Sequence, residues 1–125
     1  MAAMKVNTLT EKKCQHCEGI GKALDAVRIR EYLPLTPGWT VEADGKGIVR
    51  EFVMKNFLAA VRAIERIAEI AEGEGHHPDI HLTGYRKLKI CLTTHALGGL
   101  SENDFIVAAK INELTFELKA EGGKK

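Results

Sequence analysis

Cysteine is scarce in this 125-residue chain and its count is odd: Cys14, Cys17 and Cys91. The opening Met-Ala-Ala-Met-Lys lacks the apolar core of a secretory signal and is too short and mixed to define a transit peptide. Three cysteines without a leader argue for free thiols in a reducing compartment, not a disulfide framework; the expected location is cytoplasmic. No apolar run approaches the roughly 18 residues needed to span a bilayer. Basic blocks are missing as well. The formal charge is +1, with 18 Lys and Arg interspersed among 17 Asp and Glu, so the electrostatic footprint of a nucleic-acid binder is absent. There is no phosphate loop, no G-x-S-x-G and no H-E-x-x-H, which removes those reaction classes. The Cys14-Gln-His-Cys17 motif has no second C-x-x-C to complete a zinc site, and no strand precedes it to make a thioredoxin-like unit.

What is present fits one globular domain, with 45% hydrophobic and 28% charged residues. Residues 1–21 show no sustained periodicity and are expected to form a mobile or loosely docked extension. The domain proper is placed at 22–119, and 120–125 as a frayed tail. The spacing of Leu24, Val27 and Tyr32 predicts a short helix from Ala23 to Tyr32, stopped by Pro34. Residues Trp39 to Glu42 alternate as a half-buried strand does, and Ile48 to Phe52 form a second strand across the Asp44-Gly45 turn. A long amphipathic helix follows the Asn56 cap. Its apolar face is read as Phe57, Val61, Ile64, Ala68 and Ala71, with Glu72 extending the stripe and Gly73 and Gly75 ending the helix. Ile80 and Leu82 mark a third strand, Leu88, Ile90 and Leu92 a fourth. Ser101 and Asp104 make a capping box that opens a last helix carrying Val107, Ile111, Leu114 and Leu118. The order α-β-β-α-β-β-α predicts an α+β fold: a four-stranded antiparallel sheet with three helices on one face.

Chemistry concentrates in the histidines. Four of the five lie between residues 76 and 95, two of them adjacent in His76-His77-Pro78, and a further one follows Thr94 as His95. Histidine exchanges protons near neutral pH because its ordinary pKa is about 6.5. Adjacent histidines in a regular strand point to opposite sides, but Gly75 and Pro78 bend the chain, so both can line one pocket. Strand parity puts His95 on the face of Lys87 and Thr93, so a site using it must sit where the strand ends. Glu72 lies near a helix C-terminus, which disfavours its charge, and a histidine is its natural partner. Asp104 reads first as a cap, with a supporting role toward His95 as the alternative. His81 faces away from the core. A zinc site drawing Cys14 and Cys17 together with His76 and His77 is the competing reading.

The run from Glu72 to Asp104 resembles the pterin-4a-carbinolamine dehydratase family. The matching residues are Glu72-x-x-x-His76-His77-Pro78, Tyr85 with Lys87, Thr94-His95, and Gly99-Leu100-Ser101-Glu102-x-Asp104, with Gly38-Trp39 upstream. The likeness spans roughly residues 33–118. It implies the same α+β fold and the dehydration of 4a-hydroxytetrahydrobiopterin to quinonoid dihydropterin, which recycles the cofactor of aromatic amino acid hydroxylases. It implies catalytic positions at His76, His77, His95 and Glu72, with Asp104 supporting them. Pterin contacts are implied at His76, His77, Pro78, Thr94, His95, Ala96 and Leu97. Neither a metal nor a cofactor is required, and the chain is expected to act as a homodimer or homotetramer, apart from nucleic acid and membrane. The resemblance also brings an alternative from another class, a protein-interaction module serving as a transcription-factor dimerisation cofactor. Ile80 departs from the pattern, since an aromatic often follows His-His-Pro in the family. The Cys14-x-x-Cys17 extension is closer to plant-type and microbial members.

Overall fold

Leu88, Ile90 and Leu92 alternate with Lys87, Lys89 and Cys91, and that period of two sets the sheet. In the computed structural model, which describes residues 9–15 and 21–120, the three apolar side chains are buried and the two lysines exposed. The strands are β1 (Thr40–Val41), β2 (Ile48–Val53), β3 (Asp79–Thr83) and β4 (Lys87–Leu92), and the helices are α1 (Ala26–Tyr32), α2 (Phe57–Glu74) and α3 (Glu102–Asn112). All pairings are antiparallel in the order β1-β2-β4-β3, so the predicted fold class and element order hold. Register places Ile48 opposite Leu92 and Phe52 opposite Leu88. These inner-face residues meet Phe105, Ile106 and Ile111 of α3 and the alanines of α2 in one core.

The buried stripe of α2 differs from the one predicted. Ala59, Ala60, Ala63, Ile67 and Ala71 face inward, whereas Phe57 is 54% exposed and Ala68 is exposed. Both stripes have helical spacing; hydrophobicity alone selected the bulkier one. Small side chains on the inner face let the helix approach its neighbours closely, and packing density favours that arrangement. Glu72 consequently lies on the open side, its side chain 78% exposed, and does not extend the stripe. The last helix also ends earlier than predicted. Asn112 closes α3, and Leu118 pairs instead with Met54 in an isolated antiparallel bridge beside β2. Eight of the eleven residues of α3 are buried, including Asn103 and Asp104, because sheet, α2 and N-terminal segment surround it.

The described part of the N-terminal segment packs on the domain. Leu9–Glu11 form a short 3-10 turn with Leu9 only 2% exposed, and residues 12–15 are hydrogen-bonded to α2 and α3. The described part of the supposed extension is therefore docked. Residues 1–8 and 16–20, including Cys17, lie outside the described residues, as do 121–125 of the expected frayed tail.

Two local devices position the site. Asn56 caps α2 by accepting the Ala59 N–H at 2.8 Å. At the other end the helix runs through Gly73 and turns at Gly75, whose φ of 68° is left-handed. Both Gly75 N–H and His76 N–H then donate to the Ala71 carbonyl, the glycine-terminated helix end that aims the following residue. Nothing lies within 4 Å of a Cβ added there, so Gly75→Ala pays only for backbone conformation. Unfolding in urea is expected to show a loss of about 1–2 kcal/mol. A loss below a few tenths would mean that this turn is not held left-handed.

Candidate active site

Residue Asp104 is fully buried and uses both carboxylate oxygens. Oδ1 lies 2.6 Å from His76 Nε2. Oδ2 accepts the Thr94 hydroxyl at 2.8 Å and the Ser101 N–H at 2.9 Å. Ser101 Oγ, 2.7 Å from Thr94 Oγ1, donates to it, because the single Thr94 hydroxyl hydrogen is committed to Asp104. Ser101 Oγ in turn accepts the Asn103 N–H, so no hydroxyl in the network is left over. A carboxylate is only an acceptor, so the bridging hydrogen sits on His76 Nε2. In the neutral imidazole that leaves Nδ1 as the nitrogen with a free lone pair.

The structure thus joins His76, Asp104 and Thr94, three residues on three different segments. Asp104 completes the capping box of α3 with the N-cap Ser101, as its spacing indicated, and it also holds an imidazole. The partner is His76, while the suggested His95 is reached only through its neighbour Thr94. The Thr94 side chain, 1% exposed, faces this carboxylate and is closed to a ligand.

The other candidates are arranged differently. His77 Nε2 lies 2.6 Å from Glu72 Oε2, so the expected carboxylate–histidine pair forms, but both side chains are mostly exposed. His95 opens a 3-10 turn, His95–Leu97, directly after β4. Its exposed ring has no hydrogen-bond partner among the described residues. It lines a hollow of about 240 Å³ with Glu42, Asp44, Lys46, Thr93 and Gly98. Ala96 is exposed and Leu97 and Pro78 half-buried beside the two histidine segments. Thr93 ties the hollow together by donating to the Lys46 carbonyl. His81 is exposed on β3, as its alternation indicated.

Two polar residues near the site escaped the sequence reading. Asn103 is 2% exposed, and Glu74 has a side chain only 8% exposed, paired with Lys110. Neither carries a motif; only the packing of α2 against α3 reveals them. Burial by itself pushes the Glu74 carboxyl upward, but Lys110 and the Cys14 N–H outweigh it and hold the group below its ordinary value. Depressed on folding, this carboxyl contributes stability that is complete above its unfolded pKa and is lost as pH falls through the folded one. Glu74→Gln is therefore expected to flatten the acid side of the stability–pH curve below about pH 4.5, and denaturant titrations from pH 7 to pH 3 check it. Parallel curves for both proteins would contradict the assignment.

Burial, and then the neighbouring Glu74, push the Cys14 thiol up to about 12. Its Sγ donates to the Asn103 carbonyl at 3.7 Å. Among the described residues no group of three or more His, Cys, Asp or Glu is arranged to hold a metal.

The helix-backed antiparallel sheet has a solved counterpart. A Brucella melitensis protein described as a transcriptional coactivator/pterin dehydratase superposes with a TM-score of 0.68 at 30% identity, covering 73% of this chain and 96% of that one. The fold is that of the pterin dehydratases, a class of hydro-lyases. Residues 22–114 match the model of the pterin 4 alpha carbinolamine dehydratase family. A Legionella pneumophila relative named putative pterin-4-alpha-carbinolamine dehydratase is 46% identical over 107 residues, covering 85% of this chain and 94% of that protein. A mitochondrial pterin-4-alpha-carbinolamine dehydratase 2 of Arabidopsis thaliana is 43% identical over 112 residues, 87% of this chain. The chain spans 60% of that plant protein's length. The chain belongs to the pterin 4 alpha carbinolamine dehydratase family. A pterin dehydratase-like protein identified as a RuBisCO assembly factor shares the fold at a TM-score of 0.51 and 20% identity, so fold alone does not assign a role.

Proposed function

We propose that this protein dehydrates 4a-hydroxytetrahydropterin to quinonoid dihydropterin and water, with His76 and His95 moving the protons. The observation that carries the reading is the Asp104 carboxylate, whose two oxygens hold His76 and Thr94, the residue before His95. One buried group thereby fixes the relative placement of the two histidine segments. As the C4a–O bond breaks, the hydroxyl takes a proton and leaves as water. The C4a=N5 double bond forms as N5 loses its proton. His76, with Nε2–H committed to Asp104, presents Nδ1 to accept that proton. His95, whose ring has no carboxylate partner among the described residues, supplies the proton to the leaving hydroxyl. Each such transfer contributes typically 10²–10⁴-fold. His77 and Glu72 form the exposed rim and position substrate, with backbone contacts from residues 76–78 and 94–97.

On this reading the chain takes a free pterin, carries out one step in recycling the cofactor used by aromatic hydroxylases, and works in the cytoplasm. No helix of the described residues is long and apolar enough to cross a membrane. A homodimer or homotetramer is supported by the short β1, which covers only Ile48 and Val49 of β2. Exposed Val53 and Leu118 flank the rest of that edge.

The test is the rate of 4a-hydroxytetrahydropterin dehydration, followed by ultraviolet absorbance with chelator present, for wild type and His95→Ala. Acceleration by the wild type that falls more than about tenfold in the variant is the expected result. No acceleration by the intact protein sinks the reading.

A further inference from the structure

The segment from Leu9 to Gln15 bridges the two helix ends that carry the His76–Asp104 pair. On the α2 side, Lys13 Nζ donates to the Gly73 carbonyl at 2.9 Å, and the Cys14 N–H donates to Glu74 Oε1 at 2.9 Å. Glu74 is two residues before His76. On the α3 side, the Gln15 N–H donates to Asn103 Oδ1 at 3.1 Å, and Asn103 Nδ2 donates back to the Gln15 carbonyl at 2.8 Å. Asn103 immediately precedes Asp104. Lys12 closes the same side with an ion pair to Glu102 at 2.7 Å. Lys110, two turns along α3 from Asn103, reaches across to Glu74.

We infer that this strap is a clamp for the reaction, with Asn103 and Glu74 as positioning residues that set His76 against Asp104. The inference rests on the functional reading above. Nothing covalent near the site joins α2 to α3, so the 2.6 Å separation of His76 Nε2 and Asp104 Oδ1 depends on how the two helix ends are held. The strap holds both at once, one residue from Asp104 and two from His76. Asn103 suits this task. Its amide offers one donor and one acceptor to a single backbone residue, and burial at 2% exposure removes the competition of water. Asn103 also donates its own N–H to Ser101 Oγ, so it is joined to the Thr94–Asp104 network from within. Leu9 anchors the far end of the strap in the core, well away from the reacting groups in sequence.

The test uses the full chain with Asn103→Ala and, separately, Leu9→Ala, which loosens the strap at its distant anchor. Three readouts are compared well below the melting temperature: circular dichroism for the fold, steady-state kinetics, and the ¹H–¹⁵N signals of the His76 imidazole. The expected result for both variants is a native fold, a kcat lowered about tenfold with KM changed less than about twofold, and a shifted or broadened His76 Nε2–H signal. Replacement of Asn103 by Gln, which keeps the amide, should recover part of the rate. A lowered melting temperature with unchanged kcat and an unchanged His76 signal would overturn the clamp and leave the strap merely structural. If the wild type itself shows no dehydration, the functional reading fails; the imidazole signal still decides the clamp.

Discussion

Asp104→Asn should lower kcat by about 10²-fold or more while leaving the protein folded. The variant is nearly isosteric, so the effect isolates hydrogen-bond polarity. The carboxylate takes three donors: His76 Nε2–H, the Thr94 hydroxyl and the Ser101 N–H. An amide has one acceptor oxygen and one NH₂, and neither orientation serves all three. With NH₂ toward His76, the imidazole must accept at Nε2, and its proton moves to Nδ1, the nitrogen needed as a base. With NH₂ toward Ser101, two donors face each other at the start of α3, and the cap is lost at a cost of about 1 kcal/mol. Thr94 can rotate to adapt; the Ser101 N–H has no such freedom. Stability should fall by about 1–3 kcal/mol, as when a buried hydrogen bond to a charged group is broken. A kcat within about threefold of wild type would remove Asp104 from the mechanism and leave it as a cap alone.

His76→Ala and His77→Ala should separate cleanly, although the residues are neighbours. His76 is buried and backed by Asp104; His77 is exposed and paired with an exposed Glu72. Loss of His76 removes a proton-transfer group, and kcat should fall by about 10²–10⁴-fold. Loss of His77 should act mainly on KM, since a group that only places substrate contributes equally to ground and transition states. The exposed pair itself should matter little for folding, so the melting temperature of His77→Ala should stay near that of wild type. Steady-state kinetics of the two variants side by side test this. Equal losses of kcat would show that His77 also transfers a proton.

The comparison of these histidines shows where sequence reasoning reaches its limit. Spacing singled out His76, His77, His95, Glu72 and Asp104 as a group, and it paired a carboxylate with a histidine. Burial separates them into a dry pair, a wet pair and an exposed ring. Glu72 illustrates the reason: its place on the buried side followed from choosing Phe57, Val61, Ile64 and Ala68 as the inner stripe of α2. The alanine stripe one step round was equally periodic. Which stripe turns inward depends on what it packs against, and α3 comes from residues thirty or more positions away. For the same reason Glu74 and Asn103 gave no signal. Each is an ordinary polar residue until the ends of α2 and α3 and the strap meet.

The element order, the sheet with its polar outer face, the caps at Asn56 and Ser101, and the histidine cluster can all be read from the amino-acid sequence. All of these are legible in patterns only a few residues long: period-two and period-3.6 alternation, side-chain caps, and the conformational freedom of Gly75. The docking of Leu9–Gln15, the end of α3 at Asn112 and the grip of Asp104 on His76 and Thr94 arise only when the chain packs. Those contacts join residues 10 to 90 positions apart. Their energies depend on burial and on the satisfaction of every polar group in the cluster, conditions that exist only once the chain has packed.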